Sequence, residues 1–290
     1  MLNADRRLSS DSLPDSTDDV DLRNLTRYVA ETKRFADLVT RSRNMGLSQA
    51  LENAATWIRS KALQGANQGS MNVHGVYVDV LRHLITSSSS KSDTSVASNS
   101  KALIQQLDSI ESRTKELACY EFATPLTTTE FRKALETRND EVRSLAAELL
   151  DPYIKSLESR LGAVDQIYQL TDRFVKAINS FLLDKEISFT LSKGFTITNS
   201  LGHKLDPSNL SSGEQQLLLM FSFILAGRER PSMFIIDEPE ISLNVKWQRQ
   251  LVQSLLDITT GTEIQFIFAS HSLELLSQHR KRVVKLQSTR

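Results

Sequence analysis

The chain has 290 residues, with 35 Lys plus Arg balancing 35 Asp plus Glu, so no global field draws it toward nucleic acid or an acidic membrane. Its single cysteine, Cys119, excludes an internal disulfide and suits a reducing cytosol. The polar start MLNADRRLSSDSLPDSTDDVD is no secretory signal, and the longest apolar run, LLLMFSFILAG, is about half of the roughly 20 residues a bilayer span takes, which predicts a cytoplasmic protein with no membrane span.

In chain order, residues 1–20 are rich in Ser and Asp and predict an irregular segment. Residues 21–185 predict a helical region. Leu25, Tyr28, Val29, Ala36, Leu38 and Val39 recur at spacings of three and four, and Leu51, Ala54, Ala55 and Ile58 continue the pattern after Gly46. Residues 87–100, SSSSKSDTSVASNS, lack apolar surface and predict a loop or linker. Beyond it come three stripes: Leu103, Leu107, Ile110 and Leu117; then Phe131, Leu135, Val142, Leu145 and Leu149; then Leu157 to Phe181. Pro152 is expected to break the helix or open a new first turn. No heptad is sustained, so the expectation is a compact antiparallel bundle rather than a free coiled coil.

At Ile187 the period falls from helical to two. ISFTLS and GFTITNS flank Lys193 and Gly194, which predicts a hairpin. Residues 186–290 then read as a helix from about Ser211, a strand MFIID, a helix from about Val245 to Ile258, a strand IQFIFAS, a short helix from Leu273 and a final strand VVKL. Consecutively apolar strands alternating with helices imply an α/β fold whose parallel sheet is covered on both faces.

Asp237 and Glu238 follow Met233–Ile236 at the carboxyl end of a strand, the edge where ligands of open α/β sheets bind. One carboxylate there suits Mg²⁺, an ion that keeps several waters and takes one or two protein carboxylates. The next residue, turned the other way by the strand, can take a proton from water. Asp-Glu-Pro also ends strands that have no such site. In LSSGEQQ, Ser211 and Glu214 have capping-box spacing before Leu217–Leu225, which starts a helix in any protein. The same helix N-terminus, with an exposed hydroxyl and a glycine, is also an anion site. His271 follows the apolar run Ile264–Ala269, at the same sheet edge as the carboxylates. The basic end, His279 to Lys285, reads first as a solvated helix terminus, and Trp57, Trp247, His74 and His203 read as packing or turn residues.

Taken together, residues 187–290 resemble the C-terminal lobe of an ABC-type, AAA-like P-loop ATPase head, as found in SMC-like repair proteins, OLD-family nucleases and anti-phage ATPases. LSSGEQQ is similar to the ABC signature, MFIIDEP to the Walker B strand, ISLN to the D-loop and ASHS to the switch-histidine segment. The fold class the resemblance implies is a partial ABC-ATPase head plus an all-α region. It also implies ATP and Mg²⁺ as cofactors. Asp237 holds the metal, Glu238 is the general base and His271 contacts the γ-phosphate. Ser211, Ser212, Gly213, Glu214 and Gln215 form the signature that meets a nucleotide on the opposite subunit, and Ser242 to Asn244 lie across a head-to-head dimer interface.

Three departures accompany the resemblance. Ser212 stands where transporters usually have glycine, Asn244 replaces the usual D-loop acid, and none of the ten glycines lies in a GxxxxGK[ST] context. Met1 falls near where a first lobe would end, which leads to the expectation of a truncated, split or fragmentary product. The implied partners are a twin subunit or a complementary N-terminal lobe, with DNA or an effector protein beyond. The first functional reading is an ATPase half, in DNA repair or anti-phage defence, that works with a Walker A lobe. The alternative is a catalytically inactive ABC-like dimerisation scaffold.

Overall fold

The computed structural model describes residues 45–67 and 96–284. The chain divides into compact units of residues 1–46 and 47–290, and almost all described residues lie in the second. The stripe from Leu22 to Val39 and most of the serine-rich segment lie outside the described residues.

Residues 45–67 are helical (α1) and bury Leu47, Leu51, Ala54, Ile58 and Ala62 along one stripe. Helix α2 spans Val96–Ala118, α3 Thr129–Leu135 and α4 Asp140–Phe181. The expected loop at 87–100 therefore runs too far, because VASNS is already the first turn of α2. Asn139 caps α4, accepting from the N–H groups of Glu141 and Val142 at 3.0 and 3.3 Å.

Pro152 does not break α4, which is continuous over 42 residues. An interior proline removes one backbone bond and costs about 3 kcal/mol. Here it is buried, beside a small core of Leu103, Leu107, Ile110, Leu135, Ala147 and Ile154 that holds the helix on both sides of it.

The antiparallel bundle is also corrected in part. Arg113 pairs with Asp165, and the Tyr120 hydroxyl reaches Asp172 at 3.1 Å, while Leu103 and Leu107 share a core with Ala147 and Ile154. Early residues of α2 meet early residues of α4 and late meet late, so these two helices run parallel. The connection through α3 carries the chain back between them.

The end of α4 leads into a hairpin of β1 Lys185–Thr190 and β2 Gly194–Asn199, with β3 Lys204–Leu205 beside it. Gly194 has φ +72°, which glycine adopts without penalty, and Ile187, Phe189 and Ile197 are buried against the helices. After the capped helix α5, Ser212–Ala226, strand β4 (Ser232–Asp237), helix α6 (Val245–Ile258) and strand β5 (Ile264–Ala269) form a β–α–β unit with a parallel sheet. Helix α7 is Leu273–Gln278.

The expectation that β4 and β5 are covered on both faces fails. Phe234, Phe266 and Phe268 pack on a core built with Leu217, Phe221, Leu251 and Leu255 of α5 and α6. The alternate residues Met233, Ile235 and Ile267 are 56%, 72% and 49% exposed. Strict alternation of the pleat sends every second apolar side chain to a face that no described element covers. Val283 and Val284 are not in a strand, and the rest of the expected VVKL strand lies outside the described residues. No described helix is long and apolar enough to cross a membrane.

Candidate functional site

The sequence order helix, loop, strand decides where the conspicuous motifs meet. Helix α5 has 15 residues and runs about 22 Å. Strand β4 has six residues and returns about 20 Å in the opposite sense. The start of α5 and the end of β4 therefore fall at one end of the lobe, and direct packing shows it. A Cβ on Gly213 would run into the carbonyl oxygen of Ser242 and touch the Trp247 ring at 3.3 Å. Gly213→Ala is expected to destabilise the chain by about 1–3 kcal/mol through this overpacking. The urea midpoint checks it, and an unchanged midpoint would show that the Ser242 turn gives way freely.

Ser211 is the N-cap of α5. Its Oγ lies 3.4 Å from the Glu214 N–H and donates to Glu214 Oε2 at 2.9 Å, while its own N–H donates to the same oxygen at 2.7 Å. Lys185 Nζ meets both Glu214 oxygens at 3.0 Å. Glu214 is 3% exposed. Burial pushes its carboxyl pKa up, but the Ser211 N–H, Lys185 and the Ser211 hydroxyl pull harder, and the net shift is downward. Gln215 donates to the carbonyls of Pro207 and Leu210 at 3.2 and 3.1 Å, pinning the turn before the helix. Glu214 and Gln215 are thus engaged within the chain, whereas Ser211 and Ser212 are exposed.

The Glu238 N–H donates to the Ala269 carbonyl at 2.7 Å, extending the β4–β5 ladder one residue past Asp237. Glu238 then takes φ +46° and Ser242 φ +63°. A non-glycine residue in this region costs on the order of 1–2 kcal/mol. Such strain gathers where a side chain must be aimed, and here it reverses the chain between the carboxylate pair and the helix that follows. Asn244 caps α6 through the Trp247 N–H at 2.9 Å. Asp237 is exposed, while Glu238 is half-buried.

The loop after β5 is tied to the loop after β4. Glu240 Oε1 accepts from Ser270 Oγ at 2.7 Å, the His271 N–H at 3.0 Å and the Ser272 N–H at 3.1 Å. The Ser272 hydroxyl donates to Gln248 Oε1 at 2.7 Å, and Gln248 Nε2 donates to the Leu243 carbonyl at 2.9 Å. The structure therefore brings Asp237, Glu238 and the His271 loop to one sheet edge, and Gly213 against Ser242. Lys185, Glu240 and Gln248 were not singled out by sequence reasoning. Glu240 alone carried a signal, as a third carboxylate directly after Asp237-Glu238-Pro239.

Asp237 is a single exposed carboxylate at the end of a strand. Among the described residues, no group of three or more His, Cys, Asp or Glu is placed to enclose a metal within the protein. One exposed carboxylate at this edge would suit Mg²⁺ only as an ion that arrives with a nucleotide and keeps most of its water.

A parallel β–α–β unit with two carboxylates and a histidine loop at its carboxyl edge, and a capped helix returning to the same end, belongs to the class of ABC/AAA-like ATPase heads. The chain is a member of the family described as "AAA domain, putative AbiEii toxin, Type IV TA system", whose model matches residues 2–277. It is 35% identical over 89 residues to the lipoprotein-releasing system ATP-binding protein LolD of Cereibacter sphaeroides, a match covering 31% of this chain and 37% of that one. It is 31% identical over 84 residues to the uncharacterized ABC transporter ATP-binding protein YejF of Escherichia coli, covering 29% and 15%. The chain spans well under half the length of these curated relatives. Among solved structures, an Smc head bound to the C-winged helix domain of ScpA gives a TM-score of 0.30 at 13% identity, covering 41% of this chain and 40% of that one. An Smc head with coiled coil and joint from Pyrococcus yayanosii gives 0.29 at 13% identity, covering 88% and 59%.

Proposed function

We propose that the chain is the C-terminal lobe of an ABC-type ATPase that binds and hydrolyses Mg·ATP in a head-to-head dimer, working with a lobe that supplies the Walker A loop. The observation that carries this reading is the open apolar face of β4–β5, with Asp237 at its carboxyl edge. Met233, Ile235 and Ile267 are large apolar side chains that a parallel sheet normally buries. A second lobe laid on that face would cover them and bring a phosphate loop beside Asp237.

In this arrangement Asp237 holds the metal through its exposed carboxylate, Glu238 orients water and accepts its proton, and His271 steadies the terminal phosphate. Ser211, whose hydroxyl would have to leave Glu214 to reach a phosphate, Ser212 and the Gly213 backbone present the α5 N-terminus to the nucleotide of the opposite subunit. Bound Mg·ATP supplies the phosphoryl group and the charge that these residues position. Ser242 and Asn244 sit at the subunit contact, and the close packing of Gly213 on Ser242 links that contact to the signature helix. The setting proposed for this activity is DNA repair or anti-phage defence in the cytoplasm, with DNA or an effector protein as a further partner; the family description itself names only a putative AbiEii toxin and a type IV toxin–antitoxin system.

The alternative, an inactive dimerisation scaffold, draws on one fact: no GxxxxGK[ST] occurs in the 290 residues. The two readings separate when the chain is combined with a Walker A lobe of the same family and phosphate release is followed. Release that requires both lobes and Mg²⁺ supports the ATPase. Dimerisation with no release at any ATP concentration supports the scaffold.

A further inference from the structure

We propose that Glu240 is the positioning residue of the switch loop, the group that fixes where His271 stands relative to the Asp237–Glu238 pair. This rests on the ATPase reading for its purpose, but its geometry stands alone. Three donors from three consecutive residues converge on one oxygen: Ser270 Oγ at 2.7 Å, the His271 N–H at 3.0 Å and the Ser272 N–H at 3.1 Å. Successive N–H groups turned to one side make a concave anion seat, and here the anion is a side chain of the same molecule. The hydrogen bonds are charge-assisted, roughly twice as strong as neutral ones.

The latch closes on itself. The Leu243 N–H donates to the Glu240 carbonyl at 3.0 Å, Gln248 Nε2 donates to the Leu243 carbonyl, and the Ser272 hydroxyl donates to Gln248. A single circuit therefore joins the turn containing Ser242, the first turns of α6 and the loop carrying His271. Only Pro239 separates Glu240 from Glu238, so a shift of the strained turn is passed directly to the histidine loop. Glu240 Oε2 is buried with no hydrogen-bond partner. Burying a carboxylate with one oxygen unmatched is unfavourable, a cost set against the three bonds that Oε1 accepts. A glutamine keeps the accepting oxygen and removes the charge. An alanine removes both.

The test is amide hydrogen exchange and amide-proton shift at His271 and Ser272 in the full chain, without nucleotide, for wild type, Glu240→Gln and Glu240→Ala. Wild type is expected to show both amides protected and shifted downfield, as for N–H bonded to a carboxylate. Glu240→Gln is expected to speed exchange about tenfold and Glu240→Ala about a hundredfold, following the strength of charged over neutral bonds. Amides of the central β4–β5 ladder should not move. Partial rescue by glutamine, confined to this loop, is an outcome that a general loss of packing does not give. Unchanged exchange at both amides in Glu240→Gln overturns the proposal even where Glu240→Ala fails to fold, and so does equal acceleration across β4 and β5. Because no nucleotide is needed, failure here leaves the ATPase reading standing, and failure of phosphate release leaves the latch standing.

Discussion

Replacing Glu238 with glutamine in the completed two-lobe assembly is expected to lower ATP turnover by about 10²–10⁴-fold, the range attached to removing a positioned general base. The amide keeps the size of the side chain but cannot take a proton from water. Phosphoryl transfer depends on positioning and charge, and the proposed metal and phosphate contacts of Asp237 and His271 are left in place, so ATP is expected to stay bound and the closed dimer to persist longer. Glu238 is also a non-glycine residue at φ +46°, and glutamine tolerates that backbone as poorly as glutamate, so the loss cannot be assigned to relaxed strain. Single-turnover phosphate release together with sedimentation of the ATP-bound species checks both halves. Unchanged turnover would remove Glu238 from the role of base.

The second large effect concerns stability. Glu214 is 3% exposed and accepts from the Ser211 N–H, the Ser211 hydroxyl and Lys185. Glu214→Ala strands Lys185 beside a cavity and leaves the cap half-made. Breaking a buried pair by removing one member costs about 3–5 kcal/mol, and the lower end is expected because Lys185, 24% exposed, can turn partly to water. The pH dependence follows from the lowered carboxyl pKa. A group whose folded pKa is depressed contributes stability above its unfolded value, about 4.3, and loses it as pH falls through the lower folded value. The difference between wild type and Glu214→Gln in urea unfolding should therefore be full at neutral pH and shrink as pH drops below about 4. A constant difference across that window would show that the carboxylate charge contributes nothing.

Local patterns were legible where local physics sets them. Ser211 and Glu214 form a capping box because a cap needs only a three-residue spacing, and the structure makes that box. The hairpin around Lys193 and Gly194 and the helix Val245–Ile258 were read from changes of period, whereas the Asn244 cap of that helix became visible only in the structure. Properties set by distant partners were not legible. Lys185 lies 29 residues before Glu214, and nothing in either neighbourhood announces the pair. The parallel course of α2 and α4 depends on how far the chain travels through α3, which amphipathic stripes do not encode. Pro152 was read by its average behaviour, and its buried neighbours override that.

The strands were misread for a more informative reason. Met233, Phe234, Ile235 and Ile236 carry the apolar run of a doubly covered strand, yet one face is open among the described residues. The sequence is written for a more complete sheet than these residues build. The candidate site was legible as three ordered motifs, whereas Glu240 and Gln248, which bind two of the motif loops together, became visible only through their hydrogen bonds.

The most direct measurement is the structure of the Glu238→Gln assembly with Mg·ATP, read at a single atom group, the γ-phosphate. Ser211 of one protomer and His271 of its partner are predicted to approach the same γ-phosphate to about 3 Å, with Asp237 at the metal. A nucleotide bound away from the β4–β5 edge, or a γ-phosphate that meets neither Ser211 nor His271, would contradict the account.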